Sequence, residues 1–224
     1  MQSRDRLIVA VDLSTREEIL GLVDELQGAV GVFKLGLQAF IANGPSIVRD
    51  VVGRGEKVFL DLKLHDIPNT AKHAVAEAAK LGASMLTVHA AGGEAMLRAC
   101  AESAGDLLVL GVTILTSLDE PALAAIGFSG TPADNAVRLA VLARESGLGG
   151  VIASPHEIAA IRAACGDDFA IVTPGIRPEG SDVGDQRRTM TPKEAIAAGA
   201  SYIVVGRPIT GAKDRREAAM SMKT

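Results

Sequence analysis

The sequence predicts an α/β fold built on a closed parallel sheet, on three observations. Eight short apolar runs recur along the chain, amphipathic helix-forming segments lie between them, and 224 residues is a typical length for eight such repeats. The runs are nearly all apolar instead of alternating, as strands covered on both faces must be. Together these favour a single-domain (β/α)8 TIM barrel spanning 1–224 over an open doubly wound sheet. No Pro/Gly/Ser-rich linker or low-complexity tract divides the chain.

Taken in order, "LIVAVD" at 7–12 is the first strand and "REEILGLVDELQ" at 16–27 the helix that follows it. "VFKLG" at 32–36, "VFLDLK" at 58–63 and "MLTVH" at 85–89 are strands two to four, with "TAKHAVAEAAKLGA" at 70–83 as the helix before strand four. Strand five is "LLVLGVT" at 107–113. The longer gap after it holds an extra helix, "SLDEPALAAIG" at 117–127, before the amphipathic "PADNAVRLAVLARESG" at 132–147. "GVIAS" at 150–154, "AIVTPG" at 170–175 and "YIVVGR" at 202–207 complete the set. The closing "DRREAAMSMKT" allows a last helix of only about three turns, which predicts weakened barrel closure beside Arg207.

Composition excludes several classes of function. Net charge is −4 with no long basic run, and there are no Trp and a single Tyr, which argues against nucleic-acid binding by phosphate contacts or base stacking. The N-terminal apolar run is short and broken by Asp12, and no stretch of about 18 apolar residues occurs, so neither a signal peptide nor a membrane span is expected. Cys100 and Cys165 lie far apart and outside any metal-ligand spacing, which fits buried thiols in a reducing, cytoplasmic setting.

In such a barrel the functional face carries the strand C-termini, and the polar residues collect there. Asp12 ends strand one, Lys34 lies near the end of strand two, and Asp61 and Lys63 end strand three. Residues two apart on a strand share a face, so "FLDLKLHDIPNT" at 59–70 aims Asp61 and Lys63 into the same space. An ion pair capping the barrel mouth is the bland explanation. It weakens once Lys34 and Asp66 are added, because four alternating charges cost desolvation for little structural return. The four therefore read as a catalytic cluster.

His65 in the loop and His73 on a helix read as structural or solvent-facing, His156 carries no functional signal, and His89, ending strand four, suits a hydrogen-bonded orienting role. The lysines stand where further ligands would be wanted, so no metal is expected. "GRPIT" at 206–210 follows strand eight, the usual phosphate position of this fold, where Gly206 admits a phosphate to backbone N–H groups and Arg207 adds a charged contact. The long polar loop 175–192 suits a lid, with Arg177 and Gln186 as reaching groups.

These residues resemble the orotidine 5'-monophosphate decarboxylase family in its bacterial form, along essentially the whole chain. The resemblance rests on "VAVDL", "FKLG", "FLDLKLHDIPNT", "VTILTS", "VTPGIRP", "GDQRR" and "IVVGRPIT", in that order. It implies a Lys–Asp–Lys–Asp network of Lys34, Asp61, Lys63 and Asp66. Asp66, with Ile67 and Thr70, would reach into the active site of a second subunit, so a homodimer with two shared sites is implied. Asp12 and Lys34 would hold the ribose hydroxyls and Thr116 the pyrimidine. Arg177, Gln186, Gly206 and Arg207 would serve the phosphate.

The implied reaction is cofactor-independent loss of CO2 from orotidine 5'-monophosphate to give UMP, the last step of de novo UMP synthesis. Lys63 would stabilise a vinyl carbanion and then protonate it. Three other readings compete. Magnesium-dependent sugar-phosphate lyases and decarboxylases of the same superfamily share the Asp-x-Lys-x-x-Asp signature, but carry an acidic residue in the place of Lys34. A class-I aldolase would need Lys63 as a neutral amine, which two flanking carboxylates disfavour. An inactive nucleotide-binding protein would have no need of the intact tetrad.

Overall fold

The computed structural model describes residues 3–178 and 189–222. Its element order is β1 (Leu7–Val11), α1 (Arg16–Leu26), β2 (Val32–Gly36), α2 (Leu37–Asn43), α3 (Ser46–Val52), β3 (Val58–Leu64), α4 (Pro68–Lys80), β4 (Met85–His89) and α5 (Glu94–Glu102). The second half runs β5 (Leu108–Val112), α6 (Glu120–Ala125), α7 (Pro132–Glu145), β6 (Gly150–Ile152), α8 (Ile158–Cys165), β7 (Ala170–Thr173), α9 (Pro192–Ala197), β8 (Tyr202–Val205), α10 (Arg207–Thr210) and α11 (Arg215–Ser221). The strands pair in sequence order, all parallel, and β8 returns to β1, so the sheet is a closed eight-stranded barrel.

Strand pleat divides the apolar residues into two cores. Ile8, Val32, Phe59, Met85, Leu110, Val172 and Val204 point inward and fill the barrel. Their neighbours, among them Val9, Phe33, Leu60, Leu86, Val109, Ile171 and Ile203, point outward and pack under the helices. This two-sided burial is why the strands read as unbroken apolar runs. Helix starts are set locally: Thr15 with Glu18, Thr131 with Asp134 and Thr191 with Glu194 form capping boxes, and Pro68, Pro132 and Pro192 occupy first helical positions.

Five strands stop one or two residues before their apolar runs do, at Val11, Val112, Ile152, Thr173 and Val205. The residues beyond, including Asp12, Ser154, Gly175 and Arg207, have left the ladder to line the mouth. The extra helix after β5 is present as α6, capped by the Asp119 side chain. The helix expected from Thr70 begins instead at Pro68, whose fixed φ suits a first turn.

The short last helix does not leave the barrel open. β8 pairs with β1 through Leu7↔Ile203, Ile8↔Val204 and Val9↔Val205. Arg215 pairs with Glu25 at 3.0 Å, and Arg216 donates to the carbonyls of Glu25 and Gln27, which ties α11 to the end of α1. No helix among the described residues is long and apolar enough to cross a membrane.

Candidate active site

A cavity of about 300 Å³ opens at the C-terminal ends of the strands. Its floor is the top of the inner core, with Ala10, Phe59, Val112, Ile152 and Val204, and its walls carry Asp12, Lys34, Asp61, Lys63, Thr116, Ser154, Arg177, Gly206 and Arg207.

Asp61 is the centre of the charged wall and is 9% exposed. Lys63 Nζ lies 2.9 Å from its Oδ1, and Lys34 Nζ lies 3.4 Å from its Oδ2. Lys34 also reaches Asp12 Oδ1 at 3.9 Å. The order across the wall is therefore Asp12, Lys34, Asp61, Lys63. Burial pushes the Asp61 carboxyl up, but Lys34 and Lys63, with hydrogen bonds from Lys63 and Thr87, outweigh it and hold the group below its ordinary value.

Simple alternation along β3 does not describe how Lys63 gets there. Phe59 and Leu60 pair with Met85 and Leu86, but Leu64 pairs with Val88, so four residues of β3 pass only two of β4. Lys63 takes up this bulge in a left-handed conformation, φ 53°, the only non-glycine with positive φ among the described residues. Such a conformation costs an L-residue about 1–2 kcal/mol. Thr87 fills the opposite side of the bulge: its Oγ1 accepts from Lys63 N–H at 2.9 Å and donates to Asp61 Oδ1 at 2.9 Å. Thr87 is not among the residues that the sequence singles out. The one signal for it, a polar residue two positions from inward-facing Met85, is hidden by the ease with which threonine enters strands.

The remaining expectations fall in three groups. Thr116, Arg177, Gly206 and Arg207 all line the cavity. The first residues after β7 are pinned by a bridge between Ile176 and Met190, with Arg177 N–H donating to the Met190 carbonyl at 3.0 Å. Gln186 and most of the 175–192 loop lie outside the described residues.

Asp66, Ile67 and Thr70 are not part of the cavity of this chain. All three are exposed, Ile67 at 66%, and the Asp66 carboxylate accepts from Ile67 N–H at 2.7 Å. Of the tetrad, then, one chain brings together three members. His89 packs its ring against His65, centroids 5.5 Å apart, where a hydrogen-bonded orienting role was expected. Burial, then the proximity of His65 and Lys63, pushes its imidazole below the ordinary value. Among the described residues no three His, Cys, Asp or Glu side chains come together as a metal site would require.

A closed parallel barrel that gathers alternating carboxylates and ammoniums with two arginines at the C-terminal ends of its strands has the site position of the (β/α)8 enzymes. Residues 5–222 match the model of the orotidine 5'-phosphate decarboxylase / HUMPS family, and the chain belongs to that family. An orotidine 5'-phosphate decarboxylase of Moorella thermoacetica is 52% identical over 232 residues, covering 99% of this chain and 92% of the relative. One from Heliobacterium modesticaldum is 48% identical, covering 98% and 94%. The solved structure of orotidine 5'-phosphate decarboxylase from Lactobacillus acidophilus superposes with a TM-score of 0.88 at 37% identity, covering 97% of this chain and 96% of the other.

Proposed function

We propose that this protein is a carboxy-lyase that converts orotidine 5'-monophosphate to UMP and CO2 in pyrimidine biosynthesis, as a single-domain, cytoplasmic, cofactor-independent homodimer. The observation that carries the reading is Lys63, held on Asp61 in the charged wall of the cavity, in a protein about half identical to named decarboxylases. Sugar-phosphate lyase chemistry through a magnesium enediolate wants an acidic group where Lys34 stands, and Lys34 is committed to Asp61 and Asp12.

The chemical problem is an electron pair left in the plane of the pyrimidine ring, out of reach of its π system. Lys63 stabilises that pair as it develops and supplies the proton that replaces CO2. Asp61, ionised between two lysines, orients the ammonium. A single charge pair at about 4 Å and an effective dielectric of about 20 contributes roughly 4 kcal/mol, or three powers of ten in rate. That is too little alone, so binding energy from the ribose and phosphate must be drawn on.

Asp12 and Lys34 face the ribose hydroxyls, Thr116 the pyrimidine, and Arg177, Gln186, Gly206 and Arg207 the phosphate. A second subunit completes the network with Asp66, Ile67 and Thr70. The exposure of Ile67, and of Leu37 and Ile41 on α2, supports this arrangement, since an interface would cover apolar surface. The test is a spectrophotometric assay on orotidine 5'-monophosphate with chelator present, comparing the parent with Lys63→Ala. Turnover that collapses in the variant supports the assignment; a folded, dimeric parent without turnover overturns it.

A further inference from the structure

The bulge in β3 raises a question that the charged residues do not answer. Lys63 leaves the ladder at a conformation unfavourable for any residue with a Cβ, and Asp61 keeps a charge where it is almost fully buried. Each needs a partner for a polar group that regular pairing with β4 would have satisfied or avoided. One hydroxyl meets both needs.

We propose that Thr87 is a positioning residue for the decarboxylation assigned above: its hydroxyl locks the β3 bulge and so sets where the Lys63 ammonium and the Asp61 carboxylate stand. The inference rests on that assignment for its chemistry, and on two hydrogen bonds of 2.9 Å for its geometry. Thr87 is completely buried, and no water is needed to bridge it to either partner. The hydroxyl proton is committed to Asp61 Oδ1, the same oxygen that Lys63 Nζ contacts, so the lone pairs of Thr87 face the Lys63 N–H. The direction of each bond is thereby fixed. Thr87 touches no reacting atom; it acts through the two residues that do.

Depression of the Asp61 carboxyl by Thr87 offers a readout separate from turnover. The groups that face Asp61 are Lys34 from β2, Lys63 from its own strand and Thr87 from β4, with Asp12 beyond Lys34 and His89 further along β4. None of the charged groups is altered by changing Thr87.

Thr87→Val removes the hydroxyl at constant shape, Thr87→Ala removes it with less volume should the valine variant not fold, and Thr87→Ser restores it. Misplacement of a catalytic group by about 1 Å costs on the order of 100-fold in rate. Thr87→Val is therefore expected to lower kcat by about that factor with KM changed less than about threefold, and Thr87→Ser to recover most of it. By carboxyl NMR the Asp61 midpoint is expected to move up in Thr87→Val and to return in Thr87→Ser. Parental kcat and an unmoved Asp61 midpoint in Thr87→Val would overturn the proposal. So would a serine variant that loses as much rate as the valine variant, because packing and not the hydroxyl would then be responsible. Should the parent not turn over orotidine 5'-monophosphate, the assigned reaction falls, while the carboxyl titration still decides the link from Thr87 to Asp61.

Discussion

Lys34 reaches Asp61 diagonally across the seam between β2 and β3, at 3.4 Å, with Gly36 directly opposite Asp61 in the register. A Cβ at Gly36 would lie 3.5 Å from the Lys34 ammonium. That is ordinary van der Waals contact, so the ammonium passes close over Gly36 on its way to Asp61. Asp61 gains one cation on each oxygen, Lys34 from the side and Lys63 from above.

The pH dependence of stability follows from that arrangement. The folded-state value of Asp61 lies below its ordinary carboxylate value of about 3.9, so its contribution is complete above that value and is lost as pH falls through the folded value. Asp61→Asn is expected to have a lower Tm than the parent at pH 7, with the difference shrinking once the pH drops below about 4. Thermal unfolding at a series of pH values measures this; a difference that stays constant from pH 7 to pH 2.5 would contradict it.

Backbone strain at Lys63 makes a second prediction separable from charge. Lys63→Ala and Lys63→Gly both delete the ammonium, but only glycine adopts a positive φ without steric cost. The glycine variant is expected to be the more stable of the two by up to about 1 kcal/mol, and both to be inactive. Urea unfolding of the pair measures the difference, and an alanine variant as stable or more so would speak against strain at this position.

The exposed Asp66 predicts complementation. If it serves the partner's site, Lys63→Ala and Asp66→Asn are each inactive as homodimers, whereas mixed dimers assemble one site that has both groups intact. Mixing the two variants under conditions of subunit exchange is expected to restore activity approaching one quarter of the parental value, since about half the dimers are mixed and each has one good site. No recovery, with exchange shown to occur, would place Asp66 in its own chain's site or outside the chemistry.

The thiols give a simple check on the core. Burial pushes the Cys100 thiol up to about 11, and neither Cys100 nor Cys165 is exposed, at 0% and 6%. A charged disulfide reagent at pH 8 is expected to label neither in the folded protein and both after denaturation, because the thiolate is the reacting form. Rapid labelling of the native protein would show that α5 or α8 opens readily.

The barrel was legible because its signal is redundant: two-sided burial makes every strand from "LIVAVD" to "YIVVGR" an apolar run, and amphipathic segments such as 16–27 and 132–147 stand between them. Of the site, the residues that end strands were legible for the same reason, since a charge such as Asp61 or Lys34 inside an apolar run is conspicuous. The β3 bulge was not. Nothing in "DLKL" distinguishes a left-handed Lys63 from an extended one, because the conformation is imposed by pairing with β4 and by the Thr87 hydroxyl, both distant in sequence. Thr87 itself was masked by its high propensity for strands, which makes a threonine there unremarked.

The distribution of the cavity walls along the chain has a consequence for how such a protein can change. Asp12, Lys34, Asp61 and Lys63 lie on or just after the first three strands, whereas Arg177, Gly206 and Arg207 follow the last two. On the function proposed above, one half-barrel carries the proton and the charges around it, and the other grips the far end of the ligand. Substitutions in the second half can therefore retune which anion is held while leaving the proton donor in its setting, and a donor altered in the first half still inherits a working handle.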